Sequence, residues 1–382
     1  MPFCFVPFMH SRIDTQAQNR PCCSWRWKPG QYDLQNWEGK DYQDIRKSLM
    51  DDNSEWREEC GDCQNREESG AESLREAYNL IYDELGKPEL NIINGTNFEM
   101  PISYDLGFNN LCNLSCRMCG PKFSLQIQKE AKKHPELWPH WPDVHKDYSS
   151  KYDLDIILNN VESVYEFKFL GGEPTLQPET QAILKRLVEV GHTDFIKIFI
   201  TTNGTNANHY FFNLLTKFKK VDIQFSIDAY GPGHDYIRGP ASNFKKIWEN
   251  ISKISELNWA GTPNFEINQT VQVFNIFDFW RLRQEVNNQF KSFKFRNFIV
   301  YTPEFHSPSY IQNKWKDKAK EIAINEGVFE DEKHIFNEIY KYDYKPDAMK
   351  ALVANTHLMD PVRNQFLKDY YPLCYEMLER IK

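Results

Sequence analysis

Stretches of apolar residues recur through the middle of the chain and are separated by segments with helical periodicity. Helices are predicted over Pro178–Val190, Ala207–Phe218 and Phe244–Leu257. Strands that alternate with helices pair in parallel through right-handed crossovers, so the pattern predicts an α/β fold, either a partial barrel or a doubly wound sheet. The six predicted strands are Ile102–Phe108, Val164–Leu170, Phe195–Thr201, Val221–Ile227, Phe265–Val273 and Phe293–Val300.

The regions on either side of these strands have different patterns. Residues 1 to about 35 carry Pro, Cys and aromatic residues without helical period, which favours strands and loops organised by metal, whereas residues 37–57 and 66–85 look helical. Turn signals at Gly86-Lys87-Pro88 and Asn94-Gly95-Thr96 indicate a domain boundary. After Thr302-Pro303 the chain turns polar and helical. We predict three domains, at 1–95, 96–302 and 303–382, the last a C-terminal helical cap without an assigned chemical role.

Composition narrows the possible partners. The chain has 382 residues, 41% of them hydrophobic, which suffices for a sizeable core. Its formal charge of -8 gives no broad basic surface for a phosphate backbone. No apolar stretch approaches the roughly 20 residues that span a bilayer, and Met1 to Met9 lacks the pattern of a secretion signal. We expect a cytoplasmic protein without nucleic acid or membrane partners.

A C-x3-C-x2-C array, Cys112, Cys116 and Cys119, directly follows the first predicted barrel strand. Three thiolates in one short loop can bind three irons of a four-iron cluster, and no fourth cysteine lies nearby, so one iron would stay open for substrate or cofactor. Zinc is the alternative, but zinc motifs usually join two C-x2-C pairs, or one such pair and two histidines. The array therefore indicates a redox metallocofactor.

Further motifs lie at the ends of the next three predicted strands. Gly171-Gly172-Glu173-Pro174 ends the second, Asn203-Gly204 follows the third, and Ser226 and Asp228 end the fourth. Two glycines let a backbone approach a ligand closely, and a carboxylate can accept from an ammonium group. Barrel enzymes place active-site groups at the carboxyl ends of their strands. In order and placement, these motifs and the cysteine loop resemble those of the radical S-adenosylmethionine (SAM) superfamily.

The resemblance implies a six-stranded partial (β/α)6 TIM-like barrel that is open on one side for substrate. It implies a catalytic four-iron, four-sulfur (4Fe-4S) cluster on Cys112, Cys116 and Cys119, whose open iron is chelated by SAM. In that superfamily an electron from the cluster cleaves SAM to a 5′-deoxyadenosyl radical, which abstracts hydrogen from a substrate. An electron donor such as flavodoxin or ferredoxin is implied as a partner.

The same resemblance assigns contacts with SAM. Glu173 would accept from the amino group of SAM, Arg238 would meet its carboxylate, and the other polar side chains would face the ribose and methionyl groups. The residue before the third cysteine, often aromatic in the superfamily, is Met118 here, and methionine can also pack against adenine. The implied SAM-binding residues are Met118, Gly171, Gly172, Glu173, Pro174, Asn203, Ser226, Asp228 and Arg238.

Five further cysteines precede the predicted barrel. Thiols stay reduced in the cytosol, so this number indicates metal or redox use before disulfides. Cys60-Gly61-Asp62-Cys63 is a C-x2-C pair that can bring two thiolates onto one metal centre. Structural zinc and buried free cysteines are the alternatives, and Cys374, alone near the end, is predicted to be a core residue. The five cysteines are Cys4, Cys22, Cys23, Cys60 and Cys63, and either member of the adjacent pair could complete four ligands.

These five cysteines resemble the auxiliary-cluster modules called SPASM and twitch, which usually follow the barrel, whereas here they precede it. Cys4-Phe5-Val6-Pro7-Phe8 resembles the C-x2-P-aromatic opening of that module. The resemblance implies a second iron-sulfur cluster and, because enzymes with such modules often modify peptides, proteins or carbohydrate-like molecules, a peptide or other polar substrate. The alternative is a zinc-stabilised binding or adaptor protein on the same scaffold, without catalysis.

The segment Ala131 to Tyr152 is rich in His, Trp and Pro. His134, His140 and His145 have spacings that fit no helical ligand pair, and prolines interrupt any helix there. Long inserted loops beside active sites commonly act as lids. We predict that this segment covers the site and does not bind metal.

Overall fold

The computed structural model describes residues 3–15, 19–26, 36–51, 55–68, 70, 72–96, 100–139, 141, 144–148 and 153–381. The chain divides into two compact units. The first unit comprises residues 1–109, 147–199 and 217–220, and the second comprises residues 110–146, 200–216 and 221–382. Each unit therefore combines segments that are distant in sequence.

Each of the six predicted barrel strands is confirmed, with ends that differ from the prediction by about two residues or fewer. Strand β7 passes from the first unit into the second. The strands found in the described residues are β1 His10–Ile13, β2 Asn19–Arg20, β3 Leu90–Asn91, β4 Gly95–Thr96, β5 Ser103–Leu106, β6 Glu166–Phe169, β7 Lys197–Thr202, β8 Lys220–Ser226, β9 Asn264–Val271 and β10 Lys294–Ile299.

Helices fill the connections and the C-terminal region, which is helical as predicted. Among the described helices, none is both long and apolar enough to cross a bilayer. The α-helices are α1 Val6–Met9, α2 Lys40–Met50, α3 Gly61–Glu68, α4 Leu74–Glu84, α5 Leu125–Lys133, α6 Leu154–Leu158, α7 Pro178–Glu189, α8 His209–Leu215, α9 Pro232–Arg238, α10 Phe244–Ser255, α11 Trp280–Gln289, α12 Asn313–Asn325, α13 Phe329–Ile339, α14 Pro346–Arg363, α15 Leu367–Tyr370 and α16 Pro372–Glu379.

In the first unit, a strand from the N-terminal region joins the sheet. β1 pairs in parallel with β5, β5 pairs in parallel with β6, and β2 is antiparallel to β1. The register aligns His10 with Ser103 and Ser103 with Glu166. His10 Nδ1 lies 2.8 Å from Ser103 Oγ, which donates to Glu166 Oε2 at 3.1 Å. His10 is thus a packing residue within a buried polar row, and it links the N-terminal region to β5.

The predicted helix at 66–85 is wrong in its continuity, because α3 ends at Glu68 and α4 begins at Leu74. Ser73 caps α4: its side chain accepts from the backbone N–H of Glu76, and the Glu76 carboxylate accepts from the N–H of Ser73. This reciprocal pair is a capping box, which fixes a helix start. Ser69 and Ala71, within the predicted helix, lie outside the described residues.

In the second unit, β8, β9 and β10 form a parallel ladder. Alternate residues of β9 face opposite sides of this ladder, since side chains in a strand alternate. Phe265 and Ile267 are buried, whereas Glu266 and Asn268 are half-buried. Together these pairings give an α/β fold with a mostly parallel sheet. Buried side chains of α12 to α16 join residues of β9, such as Val271, in one apolar core.

Candidate active site

The cysteine loop lies in the second unit and is held by the segment around α9. The backbone N–H of Arg117 donates to Ile237 O at 2.9 Å, and the N–H of Cys119 donates to Cys116 O at 3.1 Å, which forms a turn between two of the cysteines. Cys116 is buried, whereas Cys112 and Cys119 are half-buried. The three thiols therefore occupy one short, anchored loop.

Two of the three sulfurs accept hydrogen bonds from predicted SAM-site side chains. Asn203 Nδ2 donates to Cys112 Sγ at 3.8 Å and to Asn113 Oδ1 at 3.1 Å. Arg238 Nη1 donates to Cys116 Sγ at 3.9 Å. Hydrogen bonds to cluster sulfurs are among the features that set the reduction potential of an iron-sulfur centre. Asn203 and Arg238 are therefore placed to act on the cysteine loop itself.

Burial is the main influence on the pKa values of Cys116 and Cys119. Burial raises the pKa of Cys119 to about 12, with a smaller contribution from Cys116. Burial also raises the pKa of Cys116, against the lowering effect of the Arg238 charge. These thiols therefore hold their protons in the absence of metal, and a metal that binds them must displace those protons.

Arg238 lies between a buried carboxylate and the cysteine loop. Its Nε donates to Asp228 Oδ2 at 2.6 Å, and the side chains of Arg238 and Asp228 are 10% and 0% exposed. Burial would lower the pKa of Arg238, but Asp228 and Cys116 raise it, so the guanidinium stays charged. Asp228 Oδ1 also accepts from the N–H of Thr270 at 3.0 Å. Asp228 therefore orients Arg238, while the contacts of both residues with SAM stay predictions.

Polar residues of β9 were missed by the sequence reasoning. Ser226, the last residue of β8, aligns with Asn268 in the parallel register. Asn268 Oδ1 is buried and has no hydrogen-bond partner among the described residues. The available signal was the alternation of polar residues in Phe265–Val273, where Glu266, Asn268 and Thr270 occupy every second position. These side chains lie on the same face of the ladder as Ser226, which was predicted to contact SAM.

The Gly-Gly-Glu-Pro motif lies in the first unit. Gly171 has φ +98°, and a Cβ there would stand 2.9 Å from Gly107 Cα, so the two backbones approach as only glycines allow. Glu173 is buried, and its Oε1 accepts from the N–H of Thr175 at 3.2 Å and from the Thr175 hydroxyl at 2.7 Å. Glu173 thus caps the turn that precedes α7. Its contact with the amino group of SAM stays a prediction.

A tryptophan of the predicted covering segment contacts the cysteine loop. A Cβ at Gly120, the residue after Cys119, would overlap the indole of Trp141. Trp141 and Cys119 also pack against the same apolar cluster, which contains Trp138. Of the three histidines, His134 bonds Glu136 and His145 is exposed, while His140 lies outside the described residues, as does Pro142.

The N-terminal cysteines gather in the first unit. A cavity of about 30 Å³ is lined by Cys4, Cys22, Cys60 and Cys63, whereas Cys23 is exposed and does not line it. Burial raises the pKa of Cys60 to about 12 and raises those of Cys4 and Cys22 as well. A cavity of this size holds one or two water molecules, so a cluster would require the four side chains to move apart.

The thiols of the cysteine loop are ligands that suit either zinc or an iron-sulfur cluster. Within the ranges that the structure describes, no three His, Cys, Asp or Glu side chains are close enough to hold one metal ion. A zinc ion needs all its sulfurs at about 2.3 Å from one point, whereas a cluster binds each thiolate at a separate iron. The cysteine loop offers one thiol to each of three irons of such a cluster.

Comparisons with known proteins show what the chain is similar to. Residues 107–266 match the family model of the radical SAM superfamily. The chain is 28% identical over 214 residues to the sporulation killing factor maturation protein SkfB of Bacillus subtilis (strain 168), a match covering 56% of this chain. The chain spans about half the length (47%) of that relative.

Among solved structures, the chain is similar to native anSMEcpe with bound AdoMet, at 17% identity and a TM-score of 0.40, covering 70% of this chain and 63% of that one. It is also similar to Streptococcus suis SuiB bound to S-adenosylmethionine, at 14% identity and a TM-score of 0.35, covering 82% and 62%. The radical SAM superfamily is a family of enzymes that use a 4Fe-4S cluster and SAM. Residues 107–266, which begin just before the cysteine loop, are thus the part of the chain that is similar to this superfamily.

Proposed function

We propose that this protein is a radical SAM enzyme whose Cys112, Cys116 and Cys119 bind a catalytic 4Fe-4S cluster. When bound, the cluster supplies the electron that splits the sulfonium bond of SAM, and the resulting 5′-deoxyadenosyl radical abstracts hydrogen from the substrate. The six strands β5 to β10 would form a partial barrel around this site. The name of the relative SkfB describes it as a maturation protein and does not mention this chemistry.

One observation carries the proposal most directly: side chains from two predicted SAM-site motifs donate to the sulfurs of the cysteine loop. Arg238 donates to Cys116 and keeps its charge through Asp228, which favours the thiolate form of that cysteine. Asn203 fixes the start of the loop through Cys112 and Asn113. We assign Glu173 and Ser226 to the amino and ribose or methionyl groups of SAM.

The test uses protein reconstituted with iron and sulfide without oxygen. Visible absorption, iron and sulfide content, and conversion of SAM to 5′-deoxyadenosine under a strong reductant are measured. Cys116→Ala should abolish the conversion, because one cluster ligand is lost. Cys374→Ala is the matched control, since Cys374 is also buried but donates to Val273 O in the apolar core, at 3.4 Å. Retained cleavage in Cys116→Ala, or a colourless zinc protein, would contradict the proposal.

We further propose that Cys4, Cys22, Cys60 and Cys63 bind a second iron-sulfur centre of SPASM or twitch type. Its support is the single cavity that these four thiols line. Arg75 lines the same cavity, where its charge lowers the pKa of Cys4 against the larger effect of burial. A cation beside the thiols stabilises their charged form.

The adjacent cysteines provide a sharp test of this second centre. Cys22→Ala should lower the iron content from about two clusters to one, because thiolate count limits occupancy. Cys23→Ala should leave it unchanged, since Cys23 is exposed and outside the cavity. Equal iron in the two variants would remove the assignment. Zinc in place of iron at this centre would identify a structural metal site.

A peptide or another polar molecule is our proposed substrate. The support is the matched relative, which is named as the maturation protein of a sporulation killing factor. The test compares peptide masses from cells that express the wild-type protein with those from cells that express Cys116→Ala. A peptide whose mass changes only with the wild-type protein would identify the substrate. Flavodoxin or ferredoxin, as electron donor, should replace the chemical reductant in the cleavage assay.

A further inference from the structure

The C-terminal helix α14 contacts the cysteine loop through a buried ion pair. Arg117 stands between Cys116 and Met118, and only 2% of it is exposed. Its Nη2 donates to Asp360 Oδ1 of α14 at 2.8 Å, and its Nε donates to Tyr236 O at 2.9 Å. The guanidinium also lies 3.7 Å from the centroid of the Tyr236 ring. Arg117, the residue after the second cysteine, is therefore fixed on three sides.

Both carboxylate oxygens of Asp360 accept hydrogen bonds. Besides Arg117, its Oδ1 accepts from the Tyr236 hydroxyl at 2.9 Å, and its Oδ2 accepts from the N–H of Leu367 at 2.8 Å. Asp360 is 6% exposed, so these donors replace water around its charge. One carboxylate thus joins the cysteine loop, helix α9 and the start of α15.

A second ion pair ties α14 to the helix that follows the cysteine loop. Arg363, nearly one turn after Asp360, donates through Nε and Nη2 to the Glu130 carboxylate of α5, at 2.9 and 2.7 Å. Helix α5 begins after Ser124, whose hydroxyl donates to Leu114 O inside the loop at 2.5 Å. The last turn of α14 therefore holds the loop directly through Arg117 and its exit helix through Glu130.

We propose that Asp360 is a positioning residue for the catalytic cluster: through Arg117 it fixes where Cys116 and Cys119 present their sulfurs. This inference rests on the proposed function of the cysteine loop. Arg117 is flanked by Cys116, and Cys119 is two residues further on, so a shift of its guanidinium moves the turn that carries both thiols. The C-terminal helical region, which had no assigned role, thereby becomes part of the cluster site.

The test replaces Asp360 with Asn in the full-length reconstituted protein. Electron paramagnetic resonance of the reduced cluster is recorded against SAM concentration, because a SAM-dependent change reports only the cluster that SAM reaches. The SAM concentration for half-maximal change should rise about tenfold, the usual scale when a group that orients a metal ligand is removed. Asp347→Asn is the matched control, an exposed Asp in the first turn of the same helix, and should behave as wild type.

A double variant separates positioning from stability. Arg117→Met with Asp360→Asn removes both charges, and the introduced amide could accept from the Leu367 N–H while donating to the Tyr236 hydroxyl. Melting temperature should recover towards wild type, whereas the SAM response should stay altered. Recovery of both, or a wild-type response in Asp360→Asn, would overturn the inference. Wild-type protein with no cluster would instead refute the proposed function.

Discussion

Helix α9 is flanked by two glycines, Gly231 and Gly239, whose substitutions form a matched pair of perturbations. Gly231 has φ 79° and ψ -155°, and Gly239 has φ 94° and ψ 172°, so both occupy a region reserved for glycine. A Cβ at Gly231 would meet nothing within 4 Å, whereas a Cβ at Gly239 would stand 2.5 Å from Ser115 Oγ and 2.9 Å from Ser115 O. Only the second substitution would press on the cysteine loop.

The expected magnitudes follow from this difference. Gly231→Ala should cost only backbone strain, about 1 to 3 kcal/mol of unfolding free energy. Gly239→Ala should cost that strain plus the cost of overpacking, which is roughly 1 to 3 kcal/mol more. Since one of the overlapping atoms is a backbone oxygen, the loop must move to relieve the contact. Iron at the catalytic cluster should therefore fall in Gly239→Ala and not in Gly231→Ala.

Urea unfolding measures the two free energies, and iron analysis after reconstitution measures cluster binding. Adding Ser115→Ala to Gly239→Ala should restore part of the lost stability, because it removes the 2.5 Å contact and leaves the one at 2.9 Å. The reasoning fails if the two single variants lose equal stability and retain equal iron. It also fails if Gly231→Ala is the more damaging change.

Three other outcomes are expected. Arg46→Met should lower the unfolding free energy by about 3 kcal/mol or more, since buried Arg46 donates to four backbone carbonyls. Urea unfolding measures this loss, and a value below about 1 kcal/mol would contradict the prediction. Asp278→Asn should flatten the dependence of stability on pH. Burial raises the pKa of Asp278 in the folded protein from 3.8 to about 7. The contribution of Asp278 to stability is therefore full below about pH 4 and is lost as the pH rises through 7. An unchanged profile in melting temperatures would argue against that. Ser73→Ala should lower the unfolding free energy by about 1 kcal/mol, because the N-cap of α4 is lost. Ser255→Ala is the comparison, and equal losses in the two variants would refute the role of the cap.

Local pattern was sufficient to find most of the central strands. Each of the six predicted strands carries its own apolar signal, so no knowledge of its partners was needed. β1 was not identified as a separate strand, because the pattern of residues 1 to about 35 indicated strands and loops without bounds, and its pairing with β5 and β2 defines it. The break between α3 and α4 was also missed, although the apolar spacing begins only at Leu74 and Ser73 with Glu76 forms a capping pair that the sequence shows.

The candidate site was likewise recognised in part from local sequence, while other parts depend on the fold. The spacing of Cys112, Cys116 and Cys119 is local and could be recognised directly. The sequence left the choice between Cys22 and Cys23 open, because only the folded chain decides which of two adjacent side chains faces a given site. In the structure, Cys22 lines the cavity and Cys23 does not. Arg238 was identified from its motif, but its bonds with Asp228 and Cys116 could not be.

The sequence by itself determined the order of strands and helices, the thiol-bearing loop and the motifs at the strand ends, because each is encoded within a few consecutive residues. Only the tertiary structure decided that Asp360 holds Arg117, a contact across 243 residues of chain. Such a pair leaves no periodic or spacing signal, since it depends on how the last helices pack against the loop. Burial then makes the pair consequential, because a charge removed from water must find its partner within the fold.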